Sequence, residues 1–227
     1  MITTATIGYP RIGPKRELKK ALESFWKGDI KENELQSTAK DLRKKNWEIQ
    51  KENGIDLITS NDFSFYDQVL DTICLLGAVP DRYNWQGDDV DLKTYFAMAR
   101  GSQTKELDVS ALEMTKWFDT NYHYLVPELK SDQKFKISSQ KPFEEFKEAQ
   151  SAGYKTKPVL LGPITFLLLS KSTEGKNTLD LLDNLLPVYL EIVKKLNDLG
   201  AEWVQIDEPI FVKDLDEGVV SKIKKTL

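Results

Sequence analysis

The chain has 227 residues, of which 40% are hydrophobic and 30% charged, with a formal net charge of -4. That is enough apolar material to bury a core in one large α/β domain or two small ones, and it excludes a disordered chain. The slightly acidic balance excludes broad attraction to nucleic acid or to an anionic membrane, so any anion has to be met locally.

The single cysteine, Cys74, cannot form an internal disulfide, and the start MITTATIGYP lacks the cationic end and apolar run of a signal peptide. A reducing, cytoplasmic location is expected. The longest apolar stretches, at 163–169 and 179–186, are too short and interrupted for a bilayer, which takes about 20 residues.

In chain order, a strand is expected at 3–7, ending in the turn Gly8-Tyr9-Pro10. The spacing of Leu18, Ala21, Leu22 and Phe25 predicts a helix over 16–27, stopped by Gly28. A second helix over 32–53 buries Leu35, Ala39, Leu42 and Ile49 and closes on Asn53-Gly54, a left-handed cap. The strand IDLITS follows. SFYDQVLDTICLLG then reads as a helix with Tyr66, Val69, Leu70 and Ile73 inward and Gly77 as its stop. Residues 78–111 show no regular period. Further strands are expected at 114–118, 134–138, 158–161 and 203–206, separated mostly by helical segments, the longest over 179–199 with Gly200 as its cap.

Strands alternating with helices at this spacing predict a parallel sheet covered by helices, either a (βα)8 barrel or an open doubly wound sheet. The absence of a Gly-rich dinucleotide fingerprint or a phosphate loop disfavours the open sheet. About six strands are legible where a barrel needs eight, and 227 residues falls short of the roughly 250 typical of that fold. The final VVSKIKKTL also stops within a helical pattern. The expectation is a barrel left incomplete by C-terminal truncation, with unpaired sheet edges that favour self-association.

Three stretches carry chemistry. Between Arg11 and Lys20 stand five Lys and Arg residues and one acid, where a strand turns through Gly8, Pro10 and Gly13 into a helix. Cations at a helix N-terminus oppose the dipole unless an anion sits there, and exposed N–H groups would add to the attraction. On a wheel Arg16 and Lys19 lie about 60° apart, away from the apolar stripe. The alternative is a solvated basic face. In EMTKWFDTNYHYLVPEL, Lys116 lies among Trp117, Phe118, Tyr122 and Tyr124. A lysine flanked by aromatics needs a carboxylate, either from a ligand or from Glu113 or Asp119. In WVQIDEPIF, Asp207 and Glu208 follow a strand, where carboxylates serve function or cap the next helix. One Cys and one His, Cys74 and His123, cannot assemble the usual zinc set. Cys74 reads as a small core residue and His123 as a hydrogen-bonding wall residue.

Taken together and in order, YPRIGPKRELKKALESFW, EMTKWFDTNYHYLVPE, VLLGPITFLLLSK and WVQIDEP closely resemble the N-terminal domain of cobalamin-independent methionine synthases, from Thr6 to about Leu215. The resemblance implies an enzyme of two (βα)8 barrels that moves the methyl group of a 5-methyltetrahydropteroyltriglutamate to homocysteine without cobalamin, with residues 1–227 as part of its N-terminal barrel. It implies that Arg16, Glu17, Leu18 and Lys19, joined by Lys116, bind the polyglutamate tail of the folate. Arg holds a carboxylate through two parallel hydrogen bonds, and Lys supplies a point charge. The family's catalytic zinc is held by His, Cys and Glu of the C-terminal barrel, whose motifs are not found in this sequence. The resemblance thus implies no catalytic residue and no metal here, no catalytic role for Asp207 or Glu208, and no methyl transfer by this chain alone. The family's own C-terminal barrel is the implied partner. Two other readings are a hydrolytic barrel using Glu113 and Glu208 as an acid and base pair, which requires a separation of about 5 Å or roughly 6.5–9.5 Å, and a non-enzymatic folate-binding module.

Overall fold

The computed structural model describes residues 2–226, with side chains through Lys224. The chain forms two compact units. The first comprises Met1–Phe65, Lys141–Val159 and Leu196–Gln205, and the second Tyr66–Gln140, Leu160–Lys195 and Ile206–Leu227.

In the first unit, α1 (Glu17–Lys27) and α2 (Glu32–Glu52) precede the short strand β1 (Ile58–Ser60). Helix α2 forms where its apolar period places it: Leu35, Ala39, Leu42 and Trp47 are buried, Ile49 partly so. It ends as expected, with Gly54 at φ 76 and the Ile55 N–H returning to the Gln50 carbonyl. The strand expected at 3–7 is reduced to one parallel bridge between Ala5 and Leu57. Its apolar Ile7 is 85% exposed, so no buried face is there to fix a longer pairing.

In the second unit, α3 (Gln68–Leu75) and α4 (Leu92–Arg100) are followed by two antiparallel hairpins. These pair β2 (Ser102–Gln103) with β3 (Asp108–Val109), and β4 (Met114–Lys116) with β5 (His123–Leu125). Helix α4 lies in the stretch that shows no sequence period. Its start is set by Asp91, which accepts the Thr94 N–H. The strand expected at 114–118 stops at Lys116 because Phe118 turns the chain at φ 50. The short strand β6 (Glu128–Leu129) comes next.

Residues 134–138 are not a strand. Lys136 and Ser138 donate their N–H groups to the Leu76 and Leu75 carbonyls at the C-terminal end of α3, so the segment's bonds go to a helix end rather than to a ladder.

Helix α5 (Lys141–Ser151) returns to the first unit and leads into β7 (Thr156–Leu161), which pairs in parallel with β1, Ile58 opposite Thr156 and Ser60 opposite Pro158. Trp47 is 2% exposed, packs with Ile58 and Ala149, and donates its indole N–H to the Thr59 carbonyl at 2.9 Å. Arg43 of α2 lies over the Phe63 ring and reaches Glu148 of α5 at 2.6 Å and Glu145 at 3.5 Å. Burial lowers the Arg43 pKa, but these two carboxylates outweigh it and leave the guanidinium firmly charged.

In the second unit, α6 (Pro163–Leu169) and β8 (Lys171–Ser172) follow β7, with β8 parallel to β6. The helix expected over 179–199 is a 3-10 turn (Thr178–Leu181) running into α7 (Leu182–Asp198). Strand β9 (Gln205–Asp207) and helix α8 (Glu217–Thr226) complete the order. The terminal Leu227 of the helical pattern lies outside the described residues.

The architecture is mixed α/β, with a three-stranded sheet in the order β1-β7-β9 and separate two-stranded pairs. Among the described residues the strand pairing does not close into a barrel. Among the described residues no helix is long and apolar enough to cross a membrane.

Candidate functional site

The turn into α1 is built from short-range bonds. Gly13 adopts φ 80, and its carbonyl accepts the Arg16 N–H at 3.0 Å. A Cβ on Gly13 would overlap the Glu17 carboxylate and come within 2.9 Å of Leu42. Upstream, the Tyr9 N–H donates to Asp62 Oδ2 at 2.8 Å, which also accepts the Thr59 hydroxyl, and this ties the loop to the end of β1.

Arg16 is not the first helical residue but the N-cap, exposed and in the left-handed region at φ 60. For a residue with a Cβ that conformation costs roughly 1–2 kcal/mol. The wheel relation between Arg16 and Lys19 therefore does not hold. Glu17 changes the expected picture further. Its carboxylate accepts its own backbone N–H and that of Lys15, which hold it below the usual carboxylate range, with smaller contributions from Lys45 and Lys15. The helix start is partly neutralised by an internal anion and is less open than the basic run suggests.

Leu18 is 1% exposed and donates its N–H to the Ile12 carbonyl, so its side chain belongs to the core. Lys19 is exposed and lies 3.7 Å from Glu23. Lys15 and Arg16 form no ion pair among the described residues.

In the second unit, Lys116 ends β4 opposite His123 and is exposed. It carries no burial penalty, contrary to the expectation from its aromatic neighbours, and among the described residues it has no ion-pair partner. Glu113, one of the two internal partners considered, is paired with Lys171 at 2.7 Å. The aromatics instead brace the hairpin. Trp117 packs edge-on against Tyr124 and Phe118, and Lys213 Nζ lies 5.1 Å from the Phe118 ring centre. Tyr122 is 78% exposed.

Glu208 serves the fold. Its two oxygens accept the N–H groups of Ile164 and Thr165 at 3.0 and 2.6 Å, and the Asp207 carbonyl accepts that of Gly162. Burial pushes the Glu208 carboxyl up, opposed by these donors. A side chain at Gly162 would collide with the Glu208 carboxylate, which explains the glycine. Glu113 and Glu208, the pair considered for hydrolysis, are thus each engaged with other groups of the protein.

Cys74 is buried, and desolvation raises its thiol well above the ordinary value. His123 is exposed on β5 rather than set in a wall of tyrosines. Among the described residues no three or more His, Cys, Asp or Glu side chains come together to hold a metal ion. A groove of about 320 Å³ in the first unit, lined by Leu57, Phe146, Tyr154 and Trp203, includes none of the residues expected to bind substrate.

The model of the family described as cobalamin-independent synthase, N-terminal domain, matches residues 3–227. The 5-methyltetrahydropteroyltriglutamate--homocysteine methyltransferase of Xylella fastidiosa (strain M23) is 55% identical over 225 residues, covering 99% of this chain and 30% of the relative. Proteins of the same name from Salinibacter ruber and Parvibaculum lavamentivorans are 53% and 54% identical, over 96% and 99% of this chain and 29% of each relative. The chain thus spans under a third of the length of the curated relatives it matches. With near-complete coverage on its own side, the chain belongs to the family of cobalamin-independent methionine synthases, within their N-terminal domain.

Proposed function

We propose that this chain is the part of a methyltransferase that receives the polyglutamate tail of 5-methyltetrahydropteroyltriglutamate, whose methyl group passes to homocysteine to give methionine. Arg16 and Lys19 bind tail carboxylates, assisted by Lys116. Glu17 orients the helix start, and Leu18 fixes α1 in the core so that its neighbours face outward. The parallel sheet is part of a (βα)8 barrel that further residues complete. Thiol activation by zinc is assigned to a C-terminal region beyond the described residues, and cobalamin has no part.

The observation that carries this reading is a set of exposed cations, Lys15, Arg16 and Lys116, without ion-pair partners among the described residues, with Arg16 held in strained backbone. Strain at a cationic residue that satisfies no internal partner is the pattern of a ligand site. The name shared by the relatives supplies the substrates.

The test is a methyl-transfer assay on the full-length protein, with triglutamate affinity followed as salt is raised. Because the contacts are ionic and exposed, affinity falls as the ionic strength rises. Affinity independent of salt would contradict the assignment.

A further inference from the structure

The hairpin that carries Lys116 is held at its base by a buried carboxylate that the sequence reading passes over. Asp67 is 8% exposed and stands just before α3. Its Oδ1 accepts the N–H groups of Val69 and Leu70 at 2.8 and 2.9 Å, an N-cap. Its Oδ2 accepts the N–H of Leu125 in β5 at 3.2 Å.

Leu125 needs this partner for a reason set by strand geometry. Bonds between β4 and β5 run through alternate residues: the Val126 N–H goes to the Glu113 carbonyl, and the Trp117 N–H to that of Tyr122. The Leu125 N–H therefore faces away from β4, into the interior, where no second strand pairs with β5 among the described residues. Leu125 itself is fully buried, whereas Lys116 and Tyr122 further along the hairpin are exposed. One carboxylate thus joins the first turn of α3 to the inner edge of the hairpin, as a neighbouring strand would. The Tyr124 hydroxyl, donating to the Leu169 carbonyl at 3.1 Å, is a second tie at the same base.

We infer that Asp67 is a positioning residue: by accepting the Leu125 N–H it anchors the β4–β5 hairpin and so sets where Lys116 stands. The consequence for substrate rests on the tail-binding reading above, while the anchor itself does not.

Asn at this position separates the two jobs of the carboxylate. Its Oδ1 keeps the cap on Val69 and Leu70, since Asn and Asp cap equally well, but its amide turns a donor toward the Leu125 N–H. D67N should fold, as circular dichroism checks, and amide hydrogen exchange should speed up at Leu125 and Trp117 on the order of tenfold while Leu70 stays protected. In the full-length protein D67N should weaken triglutamate folate on the order of tenfold more than monoglutamate folate, and adding it to K116A should cost little further.

Unchanged exchange at Leu125 and Trp117 in folded D67N would overturn the anchor, whatever Lys116 binds. A loosened hairpin with unchanged triglutamate affinity, in a protein where K116A does lose it, would overturn the positioning role. A loosened hairpin in a protein where K116A loses nothing would uphold the anchor and sink the tail-binding reading instead. Should D67N fail to fold, the same exchange measurement on D67S, which keeps a shorter cap without the second oxygen, decides the anchor.

Discussion

Arg16 at φ 60 and Gly13 at φ 80 shape the entry to α1, and the two respond differently to substitution. Ala at Gly13 would meet both a backbone region unfavourable to a Cβ and the Glu17 carboxylate. G13A should destabilise the protein by about 1–3 kcal/mol and displace the anion that partly neutralises the helix start. Chemical denaturation checks this, and a variant as stable as the parent would mean that the turn is not constrained as described.

Asp67 has a distinct pH signature. Burial pushes its carboxyl up to about 7, with Asp71 adding to the rise, while the Leu70, Leu125 and Val69 N–H groups pull it down. Tyr66, Tyr95 of α4 and Tyr124 of β5 also feel its charge or lie beside it. Since its folded pKa lies above the unfolded value of about 4, the folded state binds more protons between pH 4 and 7. The Asp67 contribution to stability therefore declines as pH rises through that window and is flat above it. D67N should remove this component from a stability-against-pH curve.

At the scale of elements, α6 depends on a residue far away in sequence. Glu208 meets two N–H groups of its first turn that have no other acceptor among the described residues. E208A leaves both donors unpaired in a largely buried place, and a loss of about 1–3 kcal/mol in thermal or chemical unfolding is expected. No loss would show that water replaces the carboxylate.

The elements also show what the sequence made legible. Helix α2 could be placed to within a residue because a long apolar period and Asn53-Gly54 are local signals. The alternation in Lys134-Phe135-Lys136-Ile137 looked equally local, yet that segment's partners are the carbonyls of Leu75 and Leu76, some sixty residues back. Helix α4 offered a signal that went unread, an Asp91 cap ahead of Tyr95, Phe96 and Met98 with Gly101 behind. In the candidate site the cations were legible by charge alone. The left-handed Arg16, the Glu17 carboxylate folded back onto the Lys15 N–H and the Asp67 bond to Leu125 depend on backbone angles and long-range contacts that a residue pattern does not reveal.

At the scale of the whole molecule, the chain matches its family along nearly its entire length while spanning about 30% of the relatives. The described residues assemble no metal site and engage Glu113 and Glu208 elsewhere. On the proposed reading this chain binds the substrate's tail and leaves activation of the thiol to another region. Purified residues 1–227 should show no methyl transfer to homocysteine under conditions where the full-length protein turns over, and turnover by this chain alone would overturn that division of labour.

The central claim, that the cations at the start of α1 receive the carboxylates of the folate tail, is tested most directly by calorimetric titration. Triglutamate and monoglutamate 5-methyltetrahydrofolate would be compared on the full-length protein and on its R16A/K19A variant. We predict that the variant loses on the order of tenfold or more in triglutamate affinity, with a much smaller change for the monoglutamate form. An equal loss for both forms, or none for either, would contradict the claim.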